Sequence, residues 1–351
     1  MVAGDQILNK APGESIFRSH LYRKGADPLI VKKREVPLKI HKLEALARRL
    51  PELHAKRPDV EAELAKSWAG HRGEEALDYH LTFLEEGQHM IFHGLRLPGA
   101  NGHFFQIDTL ILCANMAVIL ETKNIAGTLY FDQFFHQLLR TQEDSEDIFS
   151  DPLLQIRRQK RQLTSWLANR KITDIPIAPF VVISFPTTKI TTDPEHKEVL
   201  QKVIHAATVP YKIERLHQLH QTSILKTKDL KKAAHQLVTQ HVPHNPDLLK
   251  QFQISEAELL KGAQCPACQH IPMKRMKGKW HCLRCNHRSS DAHIQALTDY
   301  ALLHNNTMTN RTFREYLQID SRSIATHLLR TLKLQHSGSQ KNRTYQLPTI
   351  K

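Results

Sequence analysis

No apolar run in this 351-residue chain approaches the roughly 20 residues that a membrane-spanning helix requires. The stretch from Met1 to Arg18 holds acids and a proline but no hydrophobic signal core, so the sequence reads as a soluble, cytoplasmic protein with no membrane partner. Cysteine is scarce. Four of the five fall into one metal-type pattern and Cys113 sits in an apolar stretch, which argues against a disulfide framework. No serine or cysteine nucleophile arrangement is visible, and no Walker-type glycine loop, so covalent hydrolysis and ATP use find no support. Acids are also in deficit. Against 49 Lys and Arg stand 35 Asp and Glu, a formal charge of +14, and such an excess favours a polyanionic partner through counterion release. A hydrophobic content of 40% is enough for two or three cored domains. The 23 histidines are scattered without metal-ligand spacing and mostly read as surface polar residues.

What is present is more telling. Gln106-Ile107-Asp108 is followed, after a largely apolar stretch, by Glu121-Thr122-Lys123. Side chains two apart on a strand share a face, so Glu121 and Lys123 project together while Thr122 points away. A turn near Ala114-Asn115 folds 116–122 back along 104–112 and brings Asp108 towards Glu121. Two such carboxylates can hold Mg²⁺, which prefers oxygen ligands, and an ammonium beside them can orient the attacking water and neutralise developing charge. Spacing alone also fits a surface hairpin with charged ends. However, Val118-Ile119-Leu120 runs directly into Glu121, as in a strand buried on both faces, and a charge at that point needs a partner.

Four separated segments resemble the nuclease-related domain (NERD), a branch of the PD-(D/E)xK nuclease superfamily, across residues 70–185. They are Gly70-His71-Arg72-Gly73-Glu74, Phe105-Gln106-Ile107-Asp108, Ile119-Leu120-Glu121-Thr122-Lys123-Asn124 with Gly127, and Asp151-Pro152-Leu153-Leu154-Gln155. Asp151 stands where the family has asparagine, and it remains a helix-capping type ahead of a proline start. The resemblance implies an α/β, restriction-endonuclease-like αβββαβ core and a site using Mg²⁺ or Mn²⁺. In that site Glu74, Asp108 and Glu121 act as metal ligands or orienting acids, Lys123 as the catalytic lysine and Gln155 as a phosphate or water contact. Glu75 competes with Glu74 for the helical acid.

Around this core, residues 39–66 read as two helices interrupted at Pro51 and packed on the nuclease domain, behind an extended arm over 1–35. A further helix is expected at about 72–86, with Ala76, Tyr79, Leu81 and Leu84 facing inward, and residues 143–151 as a loop. The helix from Pro152 carries a stripe of Leu153, Ile156, Lys160, Leu163 and Leu167, with Arg157, Arg158 and Arg161 on its other side, suited to a DNA backbone or simply solvated. Cys265-x2-Cys268 and Cys282-x2-Cys285 form a paired knuckle pattern for one structural Zn²⁺. A module this small cannot build a core alone, so the metal supplies folding energy. It resembles a zinc ribbon whose basic surface, with Trp280 as its aromatic, suits nucleic acid or a protein partner.

The last 60 or so residues read as three helices and a hairpin, resembling a winged helix-turn-helix, with Ile294 and Ile324 among the inward residues. Arg322, Ser323, Thr326 and Arg330 would then face the DNA groove, with Lys341 and Arg343 on the wing. The expected parts are an arm and helices at 1–69, a nuclease domain at 70–242, a ribbon at 262–289 and a winged-helix domain at 290–351. Together they suggest a DNA nuclease. The alternative is a non-cleaving DNA-binding or sensor protein, and a homo-oligomer or protein partner could engage the ribbon or the wing.

Overall fold

The computed structural model describes residues 29–347, apart from Glu86, Asn101, Gln340 and Lys341. Most of the expected arm and the wing lysine Lys341 therefore lie outside the described residues. Contacts divide the chain into two compact units. One comprises Ala69–Pro243 with the segment ending at Glu35, and the other comprises Val36–Trp68 with the chain from His244 onward.

Strand β1 (Leu29–Lys32) is followed by helices α1 (Leu38–Arg49) and α2 (Arg57–Leu81). The hairpin-connected strands β2 (Met90–Pro98), β3 (Phe104–Leu112) and β4 (Ala117–Lys123) come next. A ribbon of β5 (Thr128–Asp132), β6 (Gln137–Gln142) and β7 (Ser145–Ser150) leads into helix α3 (Pro152–Ala168) and strand β8 (Ile177–Ile183). The unit ends with β9 (Lys189–Thr191), α4 (Lys197–Lys202), β10 (Val203–His205), α5 (Val209–Leu219) and α6 (Thr227–Thr239). The central sheet has the order β1-β2-β3-β4-β8-β10. Strands β2, β3 and β4 pair antiparallel, and β8 joins β4 in parallel through the α3 crossover. This is the αβββαβ order.

Both faces of the sheet are covered, which explains the unbroken apolar run of β4. Ile119 packs with Leu163 and Trp166 of α3 and with Ala233 and Leu237 of α6. Its neighbours Val118 and Leu120 pack on the opposite face with Leu77 and Leu81 of α2 and Ile213 of α5. Burying a Leu or Ile side chain in this way contributes about 1.5–3 kcal/mol, so the two-layer cover dominates the stability of this unit. The turn between β3 and β4 closes with Cys113 N–H donating to Met116 O at 2.9 Å.

Several expectations need correction. Helix α2 is continuous from Arg57 to Leu81, where the sequence suggests two helices. Two glycines invite a break at that point, yet a packed helix tolerates them. Its buried face is Leu77 and Leu81, whereas Ala76 and Tyr79 are exposed. Residues 145–150 form an edge strand instead of a loop, because backbone pairing with β6 needs no apolar periodicity on a solvated ribbon. On α3 the stripe position given to Lys160 belongs to Gln159, and Lys160 is exposed. Four histidines depart from the expected surface majority: His71, His89, His93 and His293 are buried.

In the second unit α1 and the front of α2 pack through Leu43, Leu46, Leu50 and Val60 against Leu248, Ile254 and Leu259. They thus belong to the second unit, whereas the sequence suggests that they pack on the nuclease domain. Here α7 (Leu248–Phe252) precedes the short strands β11 (Lys274–Met276), β12 (Lys279–His281) and β13 (Arg288–Ser289). The remainder runs α8 (Ala292–Leu303), β14 (Thr307–Thr309), α9 (Asn310–Leu317), α10 (Arg322–Thr331), β15 (His336–Ser337) and β16 (Thr344–Gln346). Strands β14-β16-β15 form one small sheet, and β14 is not expected from the sequence. Thr309 and Ser321 cap α9 and α10 with their hydroxyls, as their positions before the helices suggest. Ile294 and Ile324 are 43% and 41% exposed, so both inward assignments fail. Ala296 with Leu297, and Ala325 with Leu328, fill the interior instead.

Trp280 is also not a surface aromatic. It is fully buried, and its Nε1–H donates to His293 Nδ1 at 3.2 Å. Through Trp280 and Met273 the ribbon shares one apolar cluster with Phe313, Leu328 and Tyr345, so metal is not its sole source of folding energy. A buried ion pair joins α1 to α8: Arg49 Nε donates to Asp299 Oδ2 at 2.8 Å, and Arg49 Nη1 to Gly262 O at 2.7 Å.

Candidate active site

The first unit gathers its acids where β3 and β4 part. The ladder between them is regular from Leu112↔Ala117 to Thr109↔Leu120, and Asp108 and Glu121 follow as the next opposed positions. Asp108 Oδ2 accepts a hydrogen bond from Thr122 N at 3.0 Å, which holds the carboxylate across the opening. Glu121 is buried at the end of β4. Lys123, two positions on and therefore on the same face, donates from Nζ to Glu121 Oε1 at 2.7 Å.

Helix α3 supplies the other side. Asp151 caps it by accepting from Leu153 N at 2.8 Å, and Pro152 occupies its first position. The first turn then presents Gln155, which donates from Nε2 to Glu121 Oε1 at 2.5 Å and accepts from Lys123 Nζ at 3.0 Å. One turn later Gln159 donates to Glu121 Oε2 at 2.7 Å and to Gln106 O at 3.0 Å. Gln159 escaped the sequence reading, although its i, i+4 relation to Gln155 was the available signal.

Helix α2 approaches from the opposite face. A Cβ on Gly73 would lie 2.3 Å from Asn124 Cβ and 2.8 Å from Ser184 Oγ, so only glycine permits this approach. Asn124 fastens it by donating to Ala69 O at 2.8 Å. The next residue, Glu74, forms an ion pair with Arg34 and is 22% exposed, while Glu75 is 55% exposed and faces His71 at 3.4 Å. The geometry therefore sets Glu74, and not Glu75, beside the site. Arg34 also binds Asp78, with Nε at 2.9 Å and Nη2 at 2.8 Å, and reaches Thr109 Oγ1 at 3.1 Å.

The acids of the site are electrostatically crowded. Loss of water around Asp108, together with the negative fields of Glu121 and Glu74, raises its pKa well above the usual carboxylate range, against the opposing pull of Lys123. Burial likewise raises Glu74, with Arg34 opposing and Glu121 and Asp78 adding to it. Crowded carboxylates are a donor type that a divalent cation relieves, so Asp108 and Glu121, with Glu74 nearby, could hold one.

The basic residues singled out beside the site are less uniform. Arg157 is committed to Glu198, with Nε at 3.2 Å, whereas Arg158 and Arg161 are exposed. In the second unit Arg322, Ser323 and Arg330 are exposed on α10, and Thr326 and Arg343 are partly covered.

The four ribbon cysteines converge. Their sulfurs all lie within 4.8 Å of one another. The pairs Cys265–Cys285 and Cys268–Cys282 are 3.6 and 3.5 Å apart, close to the roughly 3.8 Å edge of a tetrahedron built on zinc–sulfur bonds. The two knuckles repeat one geometry. Gln269 N donates to Cys265 O at 2.9 Å and Asn286 N to Cys282 O at 3.0 Å, and both donors adopt positive φ. Burial opposes ionisation of Cys282, yet the backbone N–H groups of Cys285 and Arg284 bring its thiol down to about 7. This four-cysteine group could hold zinc.

Comparison with known proteins agrees with the first unit's geometry. Residues 69–184 match the family described as Nuclease-related domain (NERD), and the core they build is restriction-endonuclease-like. No curated protein is significantly similar to the chain. Among solved structures, the crystal structure of protein VC1899 from Vibrio cholerae aligns with a TM-score of 0.25 at 10% identity, over 53% of this chain and 52% of that one. The chain thus spans about half the length of that protein, and so slight a likeness has no bearing on the fold. Among the described residues, no helix is long and apolar enough to cross a membrane.

Proposed function

We propose that the chain is a metal-dependent nuclease that hydrolyses DNA phosphodiester bonds, with the second unit recruiting it to its substrate. The observation that carries this reading is the pinning of Glu121 by Lys123, Gln155 and Gln159 opposite Asp108. Packing alone gives no reason to hold one carboxylate with three side chains beside a second, crowded carboxylate. Asp108 and Glu121, with Glu74, would hold Mg²⁺ or Mn²⁺, which when bound polarises a phosphate oxygen and acidifies water. Lys123, kept in place by Glu121 and Gln155, orients the attacking water and stabilises charge that develops on the phosphate during in-line displacement. Gln155 contacts the water or a phosphate oxygen.

Zn²⁺ at the four cysteines would fix the ribbon. The order α8-β14-α9-α10-β15-β16 supports a winged-helix reading, in which Arg322, Ser323, Thr326 and Arg330 would enter the major groove and Arg343 would touch phosphate. Arg158 would contact backbone near the cleavage site.

The test is cleavage of supercoiled, linear and single-stranded DNA with Mg²⁺ or Mn²⁺, comparing wild type with Lys123→Ala. Metal-dependent cleavage that falls by about 10²-fold or more in the variant is the expected result. A second reading, a DNA-binding or sensor protein without cleavage, is favoured by one observation: Arg34 already pairs with Glu74. DNA binding with every substrate form left intact would select it.

A further inference from the structure

A second group of metal-type ligands lies in the first unit, at the other end of β3 from Asp108. Cys113 follows the last residue of β3, five positions beyond Asp108, which is about 16 Å along a strand. His89 precedes β2, and the register Met90↔Leu112 brings it next to Cys113. His217 arrives from the last turn of α5. His89 and Cys113 are buried and His217 is half-buried. One ligand atom from each of the three lies within 4.8 Å of the others.

The two imidazoles face each other with their Nε2 atoms 2.8 Å apart, so one must carry the shared proton and the other accept it. Their outer nitrogens are also engaged. His89 Nδ1 is 2.9 Å from Glu85 O, and the Asn115 side-chain amide is 3.2 Å from His217 Nδ1. A ring that donates its outer N–H to a carbonyl oxygen is held as metal-ligating histidines are held. The plain alternative is a hydrogen-bonded histidine pair with an inert thiol nearby. That alternative accounts for the pair but not for a sulfur converging on it from a third element.

We propose that His89, Cys113 and His217 form a separate metal site for a borderline-soft divalent cation, Zn²⁺ in the first instance. Two imidazole nitrogens and one thiolate suit Zn²⁺ and disfavour Mg²⁺, so this site does not compete with the carboxylates at the far end of β3. With three protein ligands, the fourth tetrahedral position would be left for water, reached from the half-exposed side of His217. Zinc–nitrogen bonds of about 2.0–2.1 Å at a tetrahedral angle set the two Nε2 atoms about 3.3 Å apart, so the rings would part by about 0.5 Å as the cation replaces the shared proton. Cys113 releases its thiol proton to solvent, and His217 keeps its proton by carrying it on Nδ1 instead of Nε2. Asn115 then turns its amide oxygen towards Nδ1 and gives up the bond its Nδ2 makes to His220 O. One proton leaves per metal bound. The site ties the β2 and β3 ends to α5, and it depends neither on cleavage activity nor on the ribbon.

The experiment measures zinc by atomic spectrometry in the full-length protein, reduced, loaded with Zn²⁺ and desalted. Wild type, Cys113→Ser, His217→Gln and the ribbon variant Cys265→Ser/Cys268→Ser are compared. The proposal expects one zinc fewer per chain in Cys113→Ser and in His217→Gln than in wild type, with circular dichroism unchanged. It also expects one zinc to remain in the ribbon variant. Equal zinc in wild type and both single variants overturns it. Cobalt titration of the wild type needs no variant. Two successive thiolate-to-cobalt bands support the site, and a single step accounted for by the ribbon overturns it.

Discussion

Glu121 shows how much a single carboxylate can be made to depend on its neighbours. It is buried, which is costly for a charge unless donors compensate, and three side chains supply them. Two of these, Lys123 and Gln155, also touch each other, whereas Gln159 ties Glu121 to the Gln106 carbonyl and has no place in the proposed water or phosphate contacts. Removing a hydrogen bond to a charged group costs about 1.5–3 kcal/mol, and about 1.4 kcal/mol corresponds to a factor of ten in rate. Gln159→Ala should therefore slow cleavage at saturating DNA by about tenfold or more while leaving DNA affinity nearly unchanged. An unaltered turnover rate in that variant would remove Gln159 from the catalytic framework.

At the scale of elements, the position of α2 is decided by Gly73. A methyl group there would fall on Asn124 and Ser184, and neither is the free end of a long flexible side chain. Overpacking of this kind costs about 1–3 kcal/mol, so Gly73→Ala should lower the urea midpoint and reduce activity together as Glu74 is displaced. Gly70→Ala, with open space at its Cβ, serves as the control and should be neutral or slightly stabilising. The ribbon makes the opposite case, since its strands are two or three residues long and cannot hold themselves. If zinc occupies the four-cysteine group, chelation should release the knuckles and expose Trp280, seen as a red-shifted tryptophan emission and a lower melting temperature. A chelated protein with unchanged emission and melting would mean that the shared apolar cluster alone carries the ribbon.

Across the whole molecule, buried and half-buried histidines tie stability to pH. His93, His241 and His293 are all brought down from 6.5 to about 4, first by burial and then by nearby cations: Arg34 for His93, Lys32 for His241 and Arg275 for His293. Between pH 6.5 and about 4 the unfolded chain binds protons that the native chain refuses, so these groups' contribution is full above 6.5 and is lost as pH falls. Asp108 and Glu74, raised by burial, act in the opposite direction in the first unit. The clean comparison is therefore His293→Gln in the second unit. Wild type should lose more stability than this variant between pH 7 and pH 5, read as urea midpoints. Equal losses would mean that His293 is not held neutral by its surroundings.

Much of this was legible in the chain itself. The unbroken run Val118-Ile119-Leu120 already required a strand covered on both faces, and Glu121 and Lys123 had to share a side because side chains alternate. The spacing of the four ribbon cysteines and the capping positions of Asp151, Thr309 and Ser321 are likewise local facts, set within a few residues. Tertiary structure alone decided the rest. Whether Gln159 or Lys160 turned inward depended on the carboxylate waiting across the sheet. The run of α2 through two glycines followed from what Gly73 packs against. The burial of Trp280 followed from the presence of His293, thirteen residues on. Arg34 with Glu74, Arg49 with Asp299, and His89 with Cys113 and His217 each join positions that only the folded chain brings together. The physical reason is common to all of these cases. Periodicity and caps are properties of neighbouring residues, whereas a buried polar group is stable only beside a partner that the chain's path, and not its local pattern, supplies.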